Sequence, residues 1–404
     1  MSTSEIYHHH GIKDYKYVSM NFENGTTIYK LIKSRGHCCS ECNSQNITLD
    51  NPSQRKIQLV PVGTREIYAN ITVWRCNCKD CGARKTEKIK FLSHKKSRIS
   101  RSLERFIVEM RQHMTITSIA KTYGIDSRII KNCEKKYLGK KFKRIRLRDV
   151  KIIGMDEIYI SPKNKKYITI IRDLETGAVL YIGDGRSKDS LKGFARKLNA
   201  SEHKIKTIAM DMSGPFKSWA KENLPKADIV FDHFHVIQLM NKHVNSVRIA
   251  TMKELDEKQK QDLIGSKSLW LTGEERLKKD APEKLEKLRC IFSDLGEISI
   301  MKEALRGIYK NVTDQVIAEE ELNDWCEMAE SSKISQLKRM AKTIRNHMQG
   351  IVSFWSTNGV TNAAMEGFNT KIRCLIKQAY GYHDMDYFYL KIFDLPARKI
   401  KQVI

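Results

Sequence analysis

Two aspartates lie in or at the end of short apolar runs and could together bind a divalent metal ion. Asp156 lies within residues 151–160 (KIIGMDEIYI), and Asp211 ends residues 205–211 (IKTIAMD). Runs of this length with β-branched residues predict strands that are buried on at least one face. Two carboxylates in apolar surroundings cannot both stay charged unless they are neutralised or hydrogen-bonded. Mg²⁺ prefers carboxylate oxygens, and two such ions about 3.5–4 Å apart can stabilise an in-line phosphoryl displacement.

The order of the surrounding elements brings the two aspartates together. Residues 166–173 and 178–183 predict two further strands across the turn LETG, and residues 188–198 predict a crossover helix. A fifth strand is predicted at residues 227–232. Three antiparallel strands, a crossover and two more strands match the ribonuclease H-like order, in which an acid on the first strand lies beside one that ends the fourth. A single strand-end aspartate more often caps a helix or turn, so the prediction of a metal site depends on having both Asp156 and Asp211.

A third acid is predicted from a helix near the carboxyl end of the sequence. Residues 362–379 have helical periodicity, with Glu366 in the first or second turn after the uncharged TNAAM segment. We expect Glu366 to face inward and to complete the metal site. Asn369, one turn later, could orient the same phosphate, whereas Lys371 and Arg373 either contact phosphates or form a solvated face.

A histidine follows the fifth predicted strand at the start of another helix. The pair Asp232-x2-His235 could support the metal ligands or position a scissile phosphate. A capping or packing role for these residues is equally compatible with their positions.

A cysteine cluster near the amino terminus predicts a structural zinc site. The predicted ligands form two pairs separated by a hairpin: Cys39, Cys42, Cys76 and Cys81. Cys78 lies inside the second pair, so Cys78-x2-Cys81 is an alternative pair, and His37 is a further possible ligand.

Residues 101–137 predict three short helices, with a turn at 124–126 before the third. This is the helix-turn-helix arrangement, in which the second helix of the pair enters the DNA major groove. Ser127, Arg128 and Lys131 would then face bases or phosphates. Six cations follow in nine residues and would neutralise further phosphates: Lys140, Lys141, Lys143, Arg144, Arg146 and Arg148.

The composition limits the classes of protein to which the chain can belong. The chain has 404 residues and a formal net charge of +26, which favours a polyanionic partner, most plausibly nucleic acid. No signal peptide or membrane span is predicted, so we expect a cytoplasmic protein whose ten cysteines are reduced or bind metal.

Residues 236–355 are charged and helical in pattern, and a ribonuclease H-like core needs no such insertion. Its tryptophans (Trp270, Trp325, Trp355) either fill its core or stack on a displaced base.

These features together resemble a known family. The motifs GMDE, DMSGPF, DHFHV and TNAAMEGFNTKIR resemble the aspartate-aspartate-glutamate transposases of bacterial insertion sequences, most closely the ISL-three family. The cysteine pairs and the helix trio resemble that family's zinc-binding and helix-turn-helix domains, although Cys78 is an extra cysteine. The resemblance implies a catalytic triad of Asp156, Asp211 and Glu366, and Asp232-x2-His235 matches a signature of transposases with a helical insertion.

The resemblance also implies a fold and a mechanism. We expect a multidomain α+β protein with a ribonuclease H-like core that is interrupted by the helical insertion. The expected segments are an arm (1–36), a zinc-binding domain (37–95), a helix-turn-helix with a basic linker (96–150), the first part of the core (151–235), the insertion (236–355) and the last part of the core (356–404).

Two Mg²⁺ or Mn²⁺ ions would support cleavage of the transposon end, and the freed 3′ hydroxyl would attack target DNA. The enzyme would bind terminal inverted repeats as at least a dimer. The alternatives are a DNA-binding regulator with an inactive core and a metal-dependent nuclease without strand transfer.

Overall fold

The computed structural model describes residues 5–161, 166–357 and 359–396. The chain divides into two compact units, Met1–Lys143 and Arg144–Ile404. The boundary falls inside the basic run at residues 140–148, so that run is shared between the units.

The first unit contains a five-stranded sheet and a short helix, α1 (Glu5–His10). The strands are β1 (Tyr15–Glu23), β2 (Thr26–Lys33), β3 (Ile47–Gln58), β4 (Ile67–Cys78) and β5 (Arg84–Thr86). Their order is β1-β2-β4-β3, and β5 also pairs with β4. The predicted hairpin between the cysteine pairs is present as β3 and β4. The prediction of a separate arm over residues 1–36 is wrong, because β2 pairs in parallel with β4 and Leu31 packs in the core of this sheet.

Three helices complete the first unit: α2 (Arg101–Met110), α3 (Ile116–Tyr123) and α4 (Ser127–Lys141). The side chain of Asp126 caps α4 by accepting hydrogen bonds from the backbone N–H groups of Arg128 and Ile129. Gly124 ends α3 with a positive φ of 62°, a conformation that glycine adopts without strain. The predicted helices and the turn between α3 and α4 are therefore present.

The second unit is built on a sheet of five strands: β6 (Ile152–Ser161), β7 (Lys166–Asp173), β8 (Val179–Asp184), β9 (Thr207–Met210) and β10 (Asp228–Phe231). The order is β10-β9-β6-β7-β8. Strands β6, β7 and β8 are antiparallel, whereas β9 is parallel to β6 and β10 is parallel to β9. A 3₁₀ turn (Lys188–Leu191) and α5 (Lys192–Asn199) connect β8 to β9, and α6 (Gly214–Asn223) connects β9 to β10. This strand order is the one expected from the sequence.

Helices follow the last strand. They are α7 (His233–Glu254), α8 (Glu257–Leu263), α9 (Lys267–Leu271), α10 (Ala281–Ile291), α11 (Ser293–Asn311), α12 (Gln315–Ser331), α13 (Ser335–Ser356), α14 (Ala363–Gln378) and α15 (Met385–Asp394), with a 3₁₀ turn at Glu274–Arg276. Within the described residues, no helix combines the length and the apolar character that a membrane span requires.

The two faces of the second sheet pack against different helices. Met155 and Phe231 belong to the large core that includes the helices α5 to α13. Ile158 and Ile168 face the opposite way and pack against Phe368 and other residues of α14 and α15. Because Asp156 and Ile158 are two residues apart on one strand, Asp156 also points toward α14.

The three tryptophans of the helical segment fill its core. Their exposed fractions are 0% for Trp270, 1% for Trp325 and 8% for Trp355. Each indole N–H donates a hydrogen bond inside the protein, to Ser266 Oγ, to the Met301 carbonyl and to the Val312 carbonyl, respectively. The alternative that one of them stacks on a displaced base is therefore wrong for this conformation.

Candidate active site and metal centres

The parallel pairing of β6 and β9 places the two predicted catalytic aspartates side by side. Ile152 is opposite Thr207, and Gly154 is opposite Ala209. Continuing this register by two residues sets Asp156 beside Asp211, where β9 has just ended. Both side chains are partly buried. The expectation that an acid on the first strand lies beside one that ends the fourth is therefore met in the geometry.

Two hydrogen bonds orient the Asp156 carboxylate. Its Oδ1 accepts a bond of 2.7 Å from the backbone N–H of Glu157, and its Oδ2 accepts one of 2.6 Å from Nδ2 of Asn369. Burial raises the pKa of Asp156 to about 6, and the charge of Asp211 acts in the same direction. The backbone N–H of Glu157, the amide of Asn369 and the nearby His235 lower the pKa but do not outweigh burial. This carboxylate is therefore oriented by donors yet lacks a full counter-charge.

Asp211 has an oxygen that fits a cation. Its Oδ1 is buried and has no hydrogen-bond partner among the described residues. Burial raises the pKa of Asp211, and His235 opposes that shift. A buried carboxylate oxygen without a donor is costly, and a divalent metal ion prefers such ligands. The donor set at Asp156 and Asp211 therefore fits a divalent metal ion.

Helix α14 approaches β6 closely. Nδ2 of Asn362 donates a 3.2 Å hydrogen bond to the carbonyl of Met155, next to Asp156. Gly154 makes this approach possible, because a Cβ at that position would lie 3.0 Å from both Asn362 Oδ1 and Met365 Cγ. The side chain of Asn369, on the same helix, is buried against Asp156.

The Glu366 side chain is exposed, so the expectation that it faces inward is wrong. The sheet-facing side of α14 is occupied by Met365, Phe368, Asn369 and Ile372. Glu366 follows Met365 and is turned away from that side, although it lies only one turn before Asn369. The structure therefore brings Asp156 and Asp211 together and leaves the Glu366 carboxylate in solvent.

The other two predicted supporting residues have different environments. Asp232 is 3% exposed and caps α7 by accepting a 3.1 Å hydrogen bond from the backbone N–H of Phe234. His235 is partly buried and lies close enough to Asp156 and Asp211 to influence both pKa values. Asp232 therefore has the capping role, whereas His235 lies near the carboxylates of Asp156 and Asp211.

Two residues near the acids, Glu157 and Asn362, were not among the site residues predicted from the sequence. Burial raises the pKa of Glu157, and the charge of Asp211 adds to that effect. Asn362 precedes a predicted helix, a position that normally indicates a cap, but its side chain bonds to β6 instead. The sequence signal for Glu157 was only its position after Asp156.

Four cysteines of the first unit form a compact cluster: Cys39, Cys42, Cys78 and Cys81. Their sulfur atoms all lie within 4.8 Å of one another, with 3.6 Å between Cys39 and Cys81 and 3.5 Å between Cys42 and Cys78. Tetrahedral zinc with bonds of about 2.3 Å separates its sulfur ligands by about 3.8 Å. The cluster therefore fits one zinc ion.

The two cysteine pairs have matching turns. The carbonyl of Cys39 accepts from the N–H of Asn43, and the carbonyl of Cys78 accepts from the N–H of Gly82, each at 3.1 Å. Asn43 and Gly82 both have positive φ, 59° and 68°. Each turn therefore presents two thiols from one Cys-x2-Cys pair.

Cys76 is outside the cluster, which corrects the predicted ligand set in favour of the alternative pair Cys78-x2-Cys81. Cys76 is two residues earlier on β4, opposite Leu49, and is 2% exposed. Two residues of a strand span about 6.8 Å, so only Cys78 reaches the turn. His37, the other possible ligand, instead contacts Glu87 Oε2 through Nδ1 at 2.9 Å.

The predicted DNA-contacting residues are mostly exposed. In the first unit, Ser127 and Arg128 are exposed at the start of α4, and Lys131 is half-buried. The remaining cations of that prediction are exposed in their respective units: Lys140, Lys141, Lys143, Arg144, Arg146, Arg148, Lys371 and Arg373.

The sequence matches known transposases. The family model DDE_Tnp_ISL3, described as a transposase, matches residues 153–392, which is more than half of the chain. The transposase for insertion sequence element IS1001 of Bordetella parapertussis is 24% identical over 370 residues, covering 91% of this chain and 90% of that protein. The transposase for insertion sequence element IS1557 of Mycobacterium tuberculosis is 24% identical over 265 residues, or 59% of each chain.

A solved structure is also similar, but weakly. The Drosophila P element transposase strand transfer complex matches with a TM-score of 0.39 and 10% identity, covering 80% of this chain and 95% of that one. The family assignment depends instead on the match over residues 153–392. The chain belongs to the ISL3 family of insertion-sequence transposases.

Proposed function

We propose that this transposase binds the terminal inverted repeats of an insertion sequence and catalyses metal-dependent DNA cleavage and strand transfer in a ribonuclease H-like core. The observation that supports this most directly is a pair of partly buried carboxylates: Asp156 lies on β6, and Asp211 directly follows the neighbouring parallel strand β9. The strand order β10-β9-β6-β7-β8 is the arrangement that a ribonuclease H-like core requires.

We assign Asp156, Asp211 and Glu366 as the ligands of two Mg²⁺ or Mn²⁺ ions. When bound, these ions neutralise the carboxylates and activate a water molecule for attack on a phosphodiester. Asn369 holds the Asp156 carboxylate by its 2.6 Å hydrogen bond. Glu366 lies one turn before Asn369 on α14, and its exposed carboxylate would have to rotate toward Asp156 to join this ligand set. Lys371 and Arg373, exposed on the same helix, would contact phosphates.

The first unit would recognise the DNA ends. Zinc bound by the four cysteines would stabilise the turn that precedes β3 and the turn that joins β4 to β5. Helix α4 would enter the major groove with Ser127, Arg128 and Lys131 directed at the duplex. Two transposon ends must be brought together for strand transfer, so we propose that the enzyme acts as at least a homodimer.

Cleavage of a labelled transposon-end duplex in Mg²⁺ or Mn²⁺ tests this function. The substitutions Asp156→Ala, Asp211→Ala and Glu366→Ala each remove a charged oxygen ligand, so cleavage should fall by roughly 10³-fold or more. Binding of the same duplex should be retained. Glu320→Ala is the matched control for Glu366→Ala, because Glu320 is also an exposed helical glutamate.

The outcomes separate the alternatives. If Glu366→Ala cleaved normally while Glu157→Ala abolished cleavage, the third ligand would be Glu157. If the wild-type protein bound the ends but never cut them, the chain would be a regulator with an inactive core. Cleavage without joining to target DNA would identify a nuclease instead.

A further inference from the structure

A basic loop connects the sheet of the first unit to α2. We use the name basic loop for residues 94–98 (HKKSR), of which His94, Lys95, Lys96 and Arg98 are exposed and Ser97 is buried. The side chains of Lys96 and Arg98 form no ion pair with any residue that the structure describes. Exposed like charges in so short a segment repel one another unless an anion is nearby.

The basic loop is held in one conformation by hydrogen bonds. The guanidinium group of Arg55 on β3 donates to the carbonyls of Lys95 and Ser97, each at 2.7 Å. The Ser97 hydroxyl donates to the carbonyl of Ile99 at 2.7 Å, and the N–H of Gln58 donates to the carbonyl of Arg98 at 2.9 Å. These hydrogen bonds hold the loop backbone and leave the side chains of Lys96 and Arg98 available.

A groove separates the basic loop from the amino-terminal half of α4. It has a volume of about 510 Å³ and is lined by His94, Lys96 and Arg98 on one side and by Arg128 and Asn132 on the other. The Nε2 atom of Gln58 donates a 3.2 Å hydrogen bond to the carbonyl of Gly124, in the turn before α4. The strand that anchors the loop is thus joined to the turn that positions the helix.

The acidic groups in this groove already have partners. Asp126 accepts two backbone hydrogen bonds as the cap of α4. Glu104 accepts from the Ser93 hydroxyl and from Lys136, the latter at 3.4 Å. Cations on both walls are therefore available to an anionic ligand.

We propose that the basic loop binds the phosphates of duplex DNA beside the major groove that α4 enters. The sheet and α4 would then contact one DNA segment as a single recognition surface. A phosphodiester strand would lie between Lys96 and Arg98 on one wall and Arg128 on the other, because each of these side chains can donate charge-assisted hydrogen bonds to phosphate oxygens. Interactions of this kind add affinity without reading bases. This inference rests on the proposed function, which supplies the duplex.

Binding by the full-length protein tests the inference. The probes are fluorescent duplexes that tile the DNA flanking the coding sequence, together with a scrambled duplex of equal length. The double variant Lys96→Gln/Arg98→Gln should bind both kinds of duplex about tenfold or more weakly at about 0.1 M salt. Its log–log salt dependence should be shallower by about 0.9 for each phosphate that the variant no longer neutralises.

A matched control removes the same charge elsewhere. Lys16→Gln/Lys30→Gln takes two exposed cations from β1 and β2 and should keep the wild-type salt dependence. Arg55→Lys keeps the charge but cannot donate in the same way to two carbonyls, so it should weaken binding at unchanged net charge. Zinc content and melting temperature would show that each variant is folded.

The results distinguish failure of the inference from failure of the proposed function. Equal affinity and salt dependence for Lys96→Gln/Arg98→Gln and for the control would overturn the role of the basic loop alone. If the wild-type protein preferred none of the flanking duplexes over the scrambled one, end recognition itself would fail.

Discussion

At the residue scale, one side-chain amide from a distant helix helps to orient the Asp156 carboxylate. Burial and the neighbouring Asp211 disfavour its charge, whereas Asn369 donates to Oδ2 and fixes its direction. The donor comes from α14, more than two hundred residues later in the chain. Asn369 therefore acts as a positioning residue for a proposed metal ligand.

We predict that replacing Asn369 lowers cleavage more than DNA binding. Asn369→Asp places a second carboxylate 2.6 Å from Asp156 in place of a donor, so cleavage should fall by roughly 10²-fold or more through like-charge repulsion. Asn369→Ala should have a smaller effect. Thr370→Ala is the control, because its hydroxyl donates to the Glu366 carbonyl of its own helix. Equal cleavage by Asn369→Asp and Thr370→Ala would contradict the positioning role.

At the element scale, the composition of the four-cysteine cluster depends on where β4 ends. Cys76 and Cys78 lie on the same face of β4, but only Cys78 enters the turn that Gly82 closes. Both cysteines are buried, so exposure does not distinguish them. The position of the turn selects the ligand.

We therefore predict different zinc contents for two serine variants. Cys78→Ser should lose stoichiometric zinc and destabilise the first unit, because a structural zinc contributes directly to folding. Cys76→Ser should retain one zinc per chain and bind DNA normally. Metal analysis of the purified proteins measures this directly. Zinc loss in Cys76→Ser with retention in Cys78→Ser would restore the other ligand set.

A buried carboxylate connects three segments of the same sheet. Glu87 is 2% exposed and accepts hydrogen bonds from Lys33 Nζ at 2.5 Å and from the backbone N–H of Trp74 at 2.9 Å. It also contacts His37 Nδ1. Burial acts to raise the pKa of Glu87, but these donors outweigh it and lower the pKa below its usual 4.5.

We predict that Glu87→Gln destabilises the protein in a pH-dependent way. A lowered folded-state pKa contributes stability above the unfolded pKa, and this contribution is lost as pH falls from about 4.5 through the folded pKa. The variant should be less stable by roughly 1–3 kcal/mol at neutral pH, and the difference should shrink in acid. Urea unfolding at several pH values measures it. A difference that grows on acidification would refute the assignment.

At the scale of the whole molecule, recognition and chemistry are assigned to different units. The first unit contains the four-cysteine cluster and α4, and the second contains the paired aspartates. The net charge of +26 favours association with DNA in general. Specific end binding should therefore survive the loss of catalysis.

We predict that full-length Asp211→Asn binds the flanking duplexes with wild-type affinity but does not cleave them. Binding should weaken steeply with salt, with a log–log slope of about −5 if six phosphates are neutralised. Fluorescence anisotropy across a salt series measures both quantities. A large loss of affinity in this variant would place part of end recognition in the core.

Local patterns in the sequence determined much of this organisation. Apolar runs of strand length placed Asp156 within one strand and Asp211 at the end of another, since the composition of such a run is a local property. The turn glycine Gly124 likewise indicated the end of α3, and the cap Asp126 indicated the start of α4. The family resemblance, which is confirmed, followed from the order of these motifs.

Only the tertiary structure decided which distant groups meet. The pairing of β2 with β4, the choice of Cys78 over Cys76 and the hydrogen bond between Asn369 and Asp156 all join segments far apart in the chain. Helical periodicity alone did not show that Met365 and Phe368 would take the sheet-facing side of α14 and leave Glu366 exposed. Which side of a helix is buried depends on the surface against which it packs, and that surface is formed by other parts of the chain.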